Sequence, residues 1–377
     1  MQFHLETDDF ALRDLQVTCG DSLVVGDLAG GCTRCMEGLK MVLFITGICG
    51  RGCFYCPYSL ERQQRDVTFA NERSVKSDED IIEEVRIMRA LGTGITGGEP
   101  LLFPDRTIHY IKLLKETFGA EHHIHLYTGS QSVKSPALFK RLKDAGLDEI
   151  RIHPLRKDWH KIKWAVNAGL TTGAEIPVIP DNLEEMKKFA VYVEKAGGRF
   201  LNMNELEFSE TNYYAFQIRG LHIKPNSLAA VQGSEETAHT FLEWARNNLK
   251  TLTVHYCPST LKDRHQLRRR LFRRAELEAK PYEERTEEGT LIKASITHEK
   301  ATLIGLNKLQ AELQHLLPEL APGMMHINQD ESSLETSVGI AIRLEETLRR
   351  AGWKISVLEE YPTAGRLRVA TTQLASE

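Results

Sequence analysis

The chain has 377 residues, which is enough for two or three domains. Hydrophobic residues make up 41% and charged residues 27%, as is typical of a soluble globular protein, and no apolar run approaches the length of a membrane span. The net charge of −4 excludes a protein that binds polyanions through its overall charge, so any basic surface must be local.

The cysteine count and the first residues indicate a reducing compartment. Seven cysteines is an odd number, and they cluster, whereas secreted disulfide frameworks favour even counts in short chains. Residues 1–9 are acidic and lack the cationic start and apolar core of a signal peptide. We therefore expect a cytoplasmic protein without a membrane partner, whose thiols bind metals.

From residue 41 onward, strand-like runs alternate with amphipathic helical runs. Ser77 is the predicted N-cap of the first of these helices, and Gly146, Gly169 and Gly197 end three later ones. The predicted strands are residues 41–46, 93–96, 123–127, 149–153, 174–179 and 200–207. Because strand and helix alternate, the pattern predicts a parallel sheet, and six such units indicate an α/β fold with a partial (βα)6 TIM-like barrel. No Gly-x-Gly-x-x-Gly follows the first strand, which argues against a doubly wound dinucleotide-binding fold.

The barrel defines the domain boundaries that the sequence predicts. An N-terminal extension covers residues 1–40, the barrel covers 41–258, a basic helical segment covers 259–285, and a small accessory α/β domain covers 286–377. Within the barrel domain, residues 251–257 are predicted to form a last strand.

Three cysteines follow the first predicted strand. Cys49, Cys53 and Cys56 stand four and three positions apart, and Gly50 and Gly52 supply the tight loop that lets all three thiols turn inward. Such thiolates can bind one soft metal centre. A cluster of four irons held by three cysteines leaves one iron without a protein ligand, and an open iron implies chemistry. The alternatives are three unrelated reduced thiols or part of a zinc site.

Polar residues collect after the other predicted strands, at the edge where parallel βα sheets place functional loops. The run Gly97-Gly98-Glu99-Pro100 follows the second strand. Further candidates along the next four strands are Thr128, Ser130, His153, Glu175, Asn202, Asn204, Glu205 and Glu207. The last four of these lie within six positions, which is costly on a buried strand unless they face a cavity. They are the predicted substrate contacts, and Glu205 and Glu207 are the predicted catalytic residues.

The motif Cys-x₃-Cys-x-x-Cys after the first strand, with Gly-Gly-Glu-Pro after the second, resembles the radical S-adenosylmethionine superfamily over roughly residues 41–208. Within it, the chain is similar to uncharacterised archaeal-type proteins related to pyruvate formate-lyase and other glycyl-radical activating enzymes. The resemblance implies that Cys49, Cys53 and Cys56 ligate a [4Fe–4S] cluster whose open iron binds S-adenosylmethionine. A reduced cluster would then cleave S-adenosylmethionine to a 5′-deoxyadenosyl radical that abstracts a hydrogen atom.

The same resemblance implies further cofactor contacts and partners. The methionine end of S-adenosylmethionine would lie against Gly97-Gly98-Glu99-Pro100, and the other candidate contacts are Tyr55, Thr128, Ser130, His153 and Glu175. The alternatives are a plain turn for Gly97-Gly98-Glu99-Pro100, loop packing for Tyr55, turn capping for Thr128 and Ser130, and a buried core histidine for His153. An electron donor of the flavodoxin or ferredoxin class is expected, together with an unidentified substrate for which RNA is one candidate.

The four remaining cysteines are Cys19, Cys32, Cys35 and Cys257. Four is the number of ligands in a closed zinc site, and Cys32-x-x-Cys35 suits either zinc or an auxiliary iron–sulfur cluster. The alternative is four free thiols. One difficulty is that Cys35 precedes the first strand, whereas Cys257 follows the last. Either the last strand is antiparallel, or the N-terminal segment climbs over the barrel, or Cys257 is not a ligand.

Residues 262–280 contain eight Lys or Arg and three Asp or Glu. Such a run is either a solvated helix face or a site for a polyanion such as RNA. The sequence therefore favours a radical S-adenosylmethionine enzyme of unknown substrate. An RNA-modifying enzyme of the same class is one alternative. A noncatalytic, metal-dependent nucleic-acid-binding protein is the other.

Overall fold

The computed structural model describes residues 13–374, and the chain divides into two units between Leu267 and Arg268. This boundary lies within the predicted basic segment, residues 259–285. Each unit has its own hydrophobic core, as separate domains do. The acidic residues 1–9 lie outside the described part of the chain.

The first unit is built on one 11-stranded sheet. Its strands are β1 (Leu15–Val17), β2 (Leu23–Val25), β3 (Lys40–Phe44), β4 (Phe69–Ala70), β5 (Arg73–Ser74), β6 (Gly92–Thr96), β7 (His123–Thr128), β8 (Glu149–Ile152), β9 (Thr171–Val178), β10 (Phe200–Glu205) and β11 (Thr253–Cys257). They lie in the order β1-β2-β11-β10-β9-β8-β7-β6-β3-β4-β5.

The seven central strands of this sheet, from β3 through β6, β7, β8, β9 and β10 to β11, are all parallel. The six predicted strands are present, and the predicted last strand joins them as β11. Short antiparallel strands extend both edges, with β2 and β1 beside β11 and with β4 and β5 beside β3. The predicted α/β fold with a partial TIM-like barrel is therefore confirmed, with a seventh parallel strand.

Helices connect these strands. They are α1 (Gly30–Met36), α2 (Asp78–Ile87), α3 (Pro104–Phe118), α4 (Ala137–Asp144), α5 (His160–Asn167), α6 (Leu183–Lys195), α7 (Tyr213–Ile218) and α8 (Ser234–Asn248). Ser77 caps α2 as predicted, and the Asp80 carboxylate accepts the Ser77 backbone N–H at 2.9 Å. Gly146 and Gly169 end α4 and α5 with positive φ angles of 105° and 80°, which a residue with a side chain rarely adopts.

The second unit has a smaller antiparallel sheet in the order β14-β15-β13-β16-β17, with β12 beside β13. Its elements are α9 (Arg268–Glu278), β12 (Glu284–Arg285), β13 (Leu291–Thr297), α10 (Leu303–Leu316), β14 (Met325–Asn328), β15 (Ser333–Thr336), α11 (Val338–Arg343), α12 (Glu345–Arg350), β16 (Lys354–Glu360) and β17 (Arg368–Gln373). Its core includes Ile296, Leu306 and Leu334. Across both units, none of the described helices has the length and apolar character to cross a bilayer.

Candidate active site

A cavity of about 350 Å³ lies at the carboxyl ends of the parallel strands in the first unit. Functional residues of parallel βα sheets collect at this end. The predicted residues that line the cavity are Cys49, Cys53, Tyr55, Cys56, Gly97, Gly98, Glu99, Thr128, His153, Glu175, Asn204, Glu205 and Glu207. The structure therefore brings both sequence motifs, and the polar ends of four later strands, around one space.

The loop that carries the three cysteines is tied to other segments of the unit. Thr211 Oγ1 donates to the Cys56 carbonyl (3.1 Å), and the Tyr58 hydroxyl donates to the Gly97 carbonyl (2.8 Å). All three thiols are half-buried. Burial, followed by the charges of the neighbouring thiols, raises the pKa of Cys56 to about 11. Burial also raises the pKa of Cys49 above its usual value. A bound metal centre would favour the thiolate form of both groups.

The two glycines of the second motif are required by close packing against this loop. A Cβ atom on Gly98 would lie 2.6 Å from the carbonyl carbon of Ile48 and 3.0 Å from Cys49 Cβ. A Cβ on Gly97 would lie 2.7 Å from the Thr46 carbonyl oxygen. Glycine thus lets the second motif reach the backbone that carries the first cysteine, which a plain turn would not require.

Glu99 joins the second motif to the end of β7. Its side chain is fully buried; one carboxylate oxygen accepts the Leu101 N–H (3.1 Å) and the Thr128 hydroxyl (2.6 Å), and the other accepts the Gly129 N–H (2.8 Å). Burial raises the pKa of Glu99 above its usual value, although these hydrogen bonds oppose the shift. Both oxygens of Glu99 are therefore used in fixing the loops that follow β6 and β7.

Tyr55 and His153 form a hydrogen-bonded pair on the cavity wall. The Tyr55 hydroxyl lies 2.7 Å from His153 Nε2, and His153 Nδ1 lies 2.7 Å from the Glu175 carbonyl oxygen. Burial, together with the nearby Arg51 guanidinium, lowers the pKa of His153 to about 4, so the imidazole is neutral at neutral pH. Since a carbonyl only accepts, Nδ1 carries the proton and Nε2 accepts from Tyr55. This arrangement fixes the orientation of the Tyr55 ring.

A buried ionic network crosses the floor of the cavity. Arg151 on β8 donates to Glu175 on β9 (2.9 Å) and to Glu149 (2.6 Å). Asn202 and Asn204 on β10 donate to the Glu175 carboxylate at 3.1 and 2.8 Å. Burial alone would raise the pKa of Glu175, but the Arg151 charge and the two amides hold it below its usual value. The sequence prediction included Glu175 and both asparagines but missed Arg151. The signal that could have identified Arg151 is its charge, which lies between Ile150 and Ile152 on a buried strand.

The two predicted catalytic glutamates have different surroundings. Glu205 accepts the backbone N–H (2.7 Å) and the hydroxyl (2.9 Å) of Ser259, so it anchors the segment after β11. Glu207 forms an ion pair with Lys262 at the cavity wall. Burial would lower the pKa of Lys262, but Glu207 and the nearby Cys257 thiol raise it above its usual value. Lys262 was not predicted, because the sequence places it only within a basic run.

Two predicted cofactor contacts do not line the cavity. Pro100 is buried in the short 3₁₀ turn Pro100–Leu102, where its carbonyl accepts the Thr107 hydroxyl (2.9 Å). Ser130 is also buried, and its carbonyl accepts the Lys161 ammonium group (2.8 Å). Their carbonyls thus bind side chains of α3 and α5, and neither residue belongs to the cavity wall.

A second cavity, of about 180 Å³, shares wall residues with the first, among them Arg151, Glu175 and Lys262. Cys32 and Cys35 on α1 and Cys257 at the end of β11 line it. Because β11 is parallel to β10, an antiparallel last strand is excluded as the explanation for the positions of these cysteines. Instead the N-terminal segment enters the barrel, where the Gly31 N–H donates to Glu149 (3.2 Å).

Cys19 differs from the three cysteines of the second cavity. It lies in the 3₁₀ turn Cys19–Asp21 and does not line the cavity. The predicted group of four cysteines is therefore reduced to three that share a space, because the turn ends before α1 enters the barrel.

The basic run is divided between the two units. Lys262 and Arg264 belong to a π-helical segment, Leu261–Leu267, of the first unit. In α9 of the second unit, Arg274 is buried and donates to the Pro362 carbonyl, and Arg268 donates to the Glu287 carbonyl (2.6 Å). These two arginines thus serve the second unit itself, and RNA as a substrate stays a prediction.

Comparison with known proteins identifies the family. Residues 43–155, which contain both motifs, match the radical SAM superfamily. The chain is also 37% identical over 366 residues to a Methanocaldococcus jannaschii protein named as a proposed glycyl-radical enzyme activating enzyme, across 93% of this chain and 94% of that one. The chain belongs to the radical SAM superfamily. As a radical SAM protein it is an enzyme, and the family implies a [4Fe–4S] cluster and S-adenosylmethionine as cofactors.

Solved structures are similar at a greater distance. Streptococcus suis SuiB bound to S-adenosylmethionine has a TM-score of 0.40 and 11% identity, over 59% of this radical SAM chain and 50% of its own. HydG, a maturase of the [FeFe]-hydrogenase, has a TM-score of 0.37 and 16% identity, over 57% and 52%. The chain thus spans about half the length of these two proteins.

The residues of this radical SAM enzyme fit the cofactors that the family implies. The donor set is three thiols on one cavity wall, which is the right chemistry for a cluster that keeps one iron open. Among residues 13–374, no three His, Cys, Asp or Glu side chains converge closely enough to hold a single metal ion. A cluster does not need such convergence, because each thiolate binds a different iron atom.

Proposed function

We propose that this enzyme cleaves S-adenosylmethionine reductively and uses the resulting radical to abstract a hydrogen atom from a polar substrate. Cys49, Cys53 and Cys56 would hold the [4Fe–4S] cluster. When bound, the cluster supplies the electron that converts S-adenosylmethionine to methionine and a 5′-deoxyadenosyl radical. A donor of the flavodoxin or ferredoxin class would deliver that electron.

The single observation that carries this proposal is that both motifs border one cavity. The three thiols and Gly97, Gly98 and Glu99 lie on the walls of the same 350 Å³ space at the carboxyl ends of the strands. The volume is within the range of small-molecule sites in proteins. Because Gly97 and Gly98 lack side chains, the backbone itself forms this part of the cavity wall.

The chain's own residues would bind and orient the ligands. Tyr55, fixed by His153, presents an aromatic ring to the cavity beside the cysteines, where it can stack on a base and exclude water. Glu175, Asn204, Glu207 and Lys262 form a polar wall farther along the barrel. A substrate that carries both hydrogen-bond donors and acceptors would suit this wall, since the wall presents carboxylates, an amide and an ammonium group.

The name of the M. jannaschii relative suggests the first substrate to test. A glycyl-radical activating enzyme abstracts hydrogen from a glycyl residue of a partner polypeptide. A peptide backbone offers the donors and acceptors that the polar wall requires. A glycine-containing partner polypeptide is therefore our leading substrate class, and no contact in the described residues favours RNA over it.

The decisive experiment is reductive cleavage by the anaerobically reconstituted protein. With dithionite and S-adenosylmethionine, we expect 5′-deoxyadenosine to accumulate, as measured by chromatography and mass spectrometry. Replacing one ligand, Cys53→Ala, removes an iron ligand and should abolish the product. The loop lies outside the sheet, so the variant should keep its circular dichroism spectrum.

The matched control is Cys19→Ala, because Cys19 lines neither cavity. This variant should form 5′-deoxyadenosine at the rate of the unmodified protein. Product formation by Cys53→Ala, or its absence from a reconstituted protein that contains a full cluster, would contradict the proposal.

A further inference from the structure

Cys32, Cys35 and Cys257 come from distant parts of the sequence but border one enclosed space. Cys32 and Cys35 lie one turn apart on α1, and Cys257 pairs with Asn204 in the register of β10 and β11. All three residues line the same cavity of about 180 Å³. The fold thus collects three soft ligands inside the barrel, away from the loop that carries Cys49, Cys53 and Cys56.

The position of α1 depends on a glycine. A Cβ atom on Gly31 would lie 2.6 Å from Arg151 Nη2 and 2.6 Å from His125 Nδ1. Without that atom, the helix presses against the inner side chains of β7 and β8, and Cys32 reaches Arg151. The close approach of α1 to β7 and β8 therefore depends on Gly31, the residue directly before Cys32.

The surroundings of these thiols are polar, and Glu175 lines the cavity together with Arg151. Cys32 Sγ accepts from Arg151 Nη2 and from Asn202 Nδ2, each at 3.3 Å. Lys40 and Lys262 also line the cavity. Buried cysteines usually pack as small apolar groups. Donors aimed at sulfur indicate instead a site that carries negative charge on sulfur.

Two buried side chains at the same cavity have unused polar atoms. His255 is 2% exposed, and its Nε2 lies 2.8 Å from Ser22 Oγ, but its Nδ1 has no hydrogen-bond partner among the described residues. Asn202 is also 2% exposed, and within residues 13–374 its Oδ1 has none either. Buried polar atoms are nearly always paired, so these two point to a group that the cavity is built to hold.

We propose that Cys32, Cys35 and Cys257 hold a second iron–sulfur cluster, with His255 Nδ1 available as a fourth ligand. A single zinc ion would require the thiols to converge on one point, and the described residues contain no such convergence. A cluster needs thiols distributed around a space, and the cavity of about 180 Å³ provides it. Arg151, Asn202 and Lys40 supply donors for its anionic sulfur atoms.

The test uses a protein that cannot hold the first cluster. The variant C49A/C53A/C56A is reconstituted anaerobically with iron and sulfide, and iron, acid-labile sulfide and zinc are measured per chain. We expect this variant to retain iron and sulfide in equal molar amounts, at about two to four atoms each, with an iron–sulfur signal in Mössbauer spectra. Its inability to cleave S-adenosylmethionine makes the result independent of the function proposed above.

Further substitutions in the same background locate the site. Adding Cys257→Ser or Cys35→Ser should remove the iron and the sulfide, whereas adding Cys19→Ala should leave both unchanged. Two separate serine variants are used so that the misfolding of one, detected by circular dichroism and gel filtration, leaves the other as the test.

Three outcomes would overturn the proposal. The first is a folded C49A/C53A/C56A variant free of iron and sulfide, the second is zinc bound in their place, and the third is a disulfide between Cys32 and Cys35 in mass spectra.

Discussion

Glu99 shows how a motif residue acts through other parts of the chain. Its carboxylate holds the Gly129 N–H and the Thr128 hydroxyl, so the loop after β6 is tied to the end of β7. In Glu99→Gln, one oxygen becomes an NH₂ group that faces a donor. Leaving a buried donor unpaired costs about 1–3 kcal/mol, and we expect a loss of that size in the free energy of unfolding, measured by urea denaturation.

The control for this variant is Glu83→Gln. Glu83 is half-exposed on α2 and pairs with Arg73 at 2.6 Å, so its loss should cost less than about 1 kcal/mol. Equal losses in the two variants would show that Glu99 does not fix these loops. S-adenosylmethionine binding, measured by equilibrium dialysis, should weaken in Glu99→Gln only.

His122 gives the protein a stability that depends on pH. Burial, with the nearby Lys115 charge, lowers the pKa of His122 to about 4, and the neutral ring lies 2.8 Å from the Thr93 hydroxyl. The His122 imidazole is therefore protonated near pH 6.5 in the unfolded chain but only near pH 4 in the folded chain. The stabilisation is complete above pH 6.5 and is lost as the pH falls towards 4.

We expect the free energy of unfolding to fall between pH 7 and pH 5, with about 1.4 kcal/mol per pH unit from His122 at the steepest part. His122→Asn should flatten this slope in urea denaturation, whereas the exposed His160→Asn should not. An unchanged slope in His122→Asn would exclude this residue as the source.

The cysteine loop could be located from the sequence because its chemistry is local. Three thiols within one loop indicate a metal centre whatever surrounds them. Arg151 and Lys262 could not be assigned in this way, since their roles depend on Glu175 and Glu207, which lie on other strands. The sequence gives the type of a charged residue, but its partner is fixed only by the strand order.

The element that most directly links the two motifs is the glycine pair after β6. A Cβ on Gly98 would meet Ile48 and Cys49, whereas a Cβ on Gly50 would meet no atom within 4 Å. We therefore expect Gly98→Ala to displace the cysteine loop and to lower S-adenosylmethionine cleavage at least tenfold. Gly50→Ala should have little effect on the rate of 5′-deoxyadenosine formation. Equal activities in the two variants would contradict the steric argument.

Long strands and helices with a clear hydrophobic pattern were predicted well, whereas short elements were not. The parallel strands and the helices between them follow from alternating patterns and glycine stops. The strands β1 and β2 have three residues each, which is too short for a period to be recognised. The direction of β11 and the entry of α1 into the barrel depend on pairing with β10 and on contact with β8. Neither was available from local sequence.

Each of the two units has its own large hydrophobic core, and each unit should unfold on its own. We expect two transitions in differential scanning calorimetry. Leu334→Ala, at a fully buried position of the second unit, should lower the free energy of unfolding of that unit by about 2–5 kcal/mol and so lower the temperature of one transition. Leu142→Ala, equally buried in the first unit, should lower the temperature of the other transition.

A single cooperative transition that both substitutions shift together would show that the two units are not independent in stability. The boundary between Leu267 and Arg268 would then mark only a change in packing.

The seating of α1 has a kinetic consequence. Within the described residues, Gly31 lies against Glu149 and Arg151, so α1 covers the amino ends of β7 and β8 beneath the network on the cavity floor. We therefore expect ligands to enter the barrel at the carboxyl ends of the strands, where the first cavity lies. Two molecules that bind through the same opening cannot pass each other. The one that binds deeper must therefore bind first and dissociate last. We therefore expect a compulsory order of binding and release in steady-state kinetics.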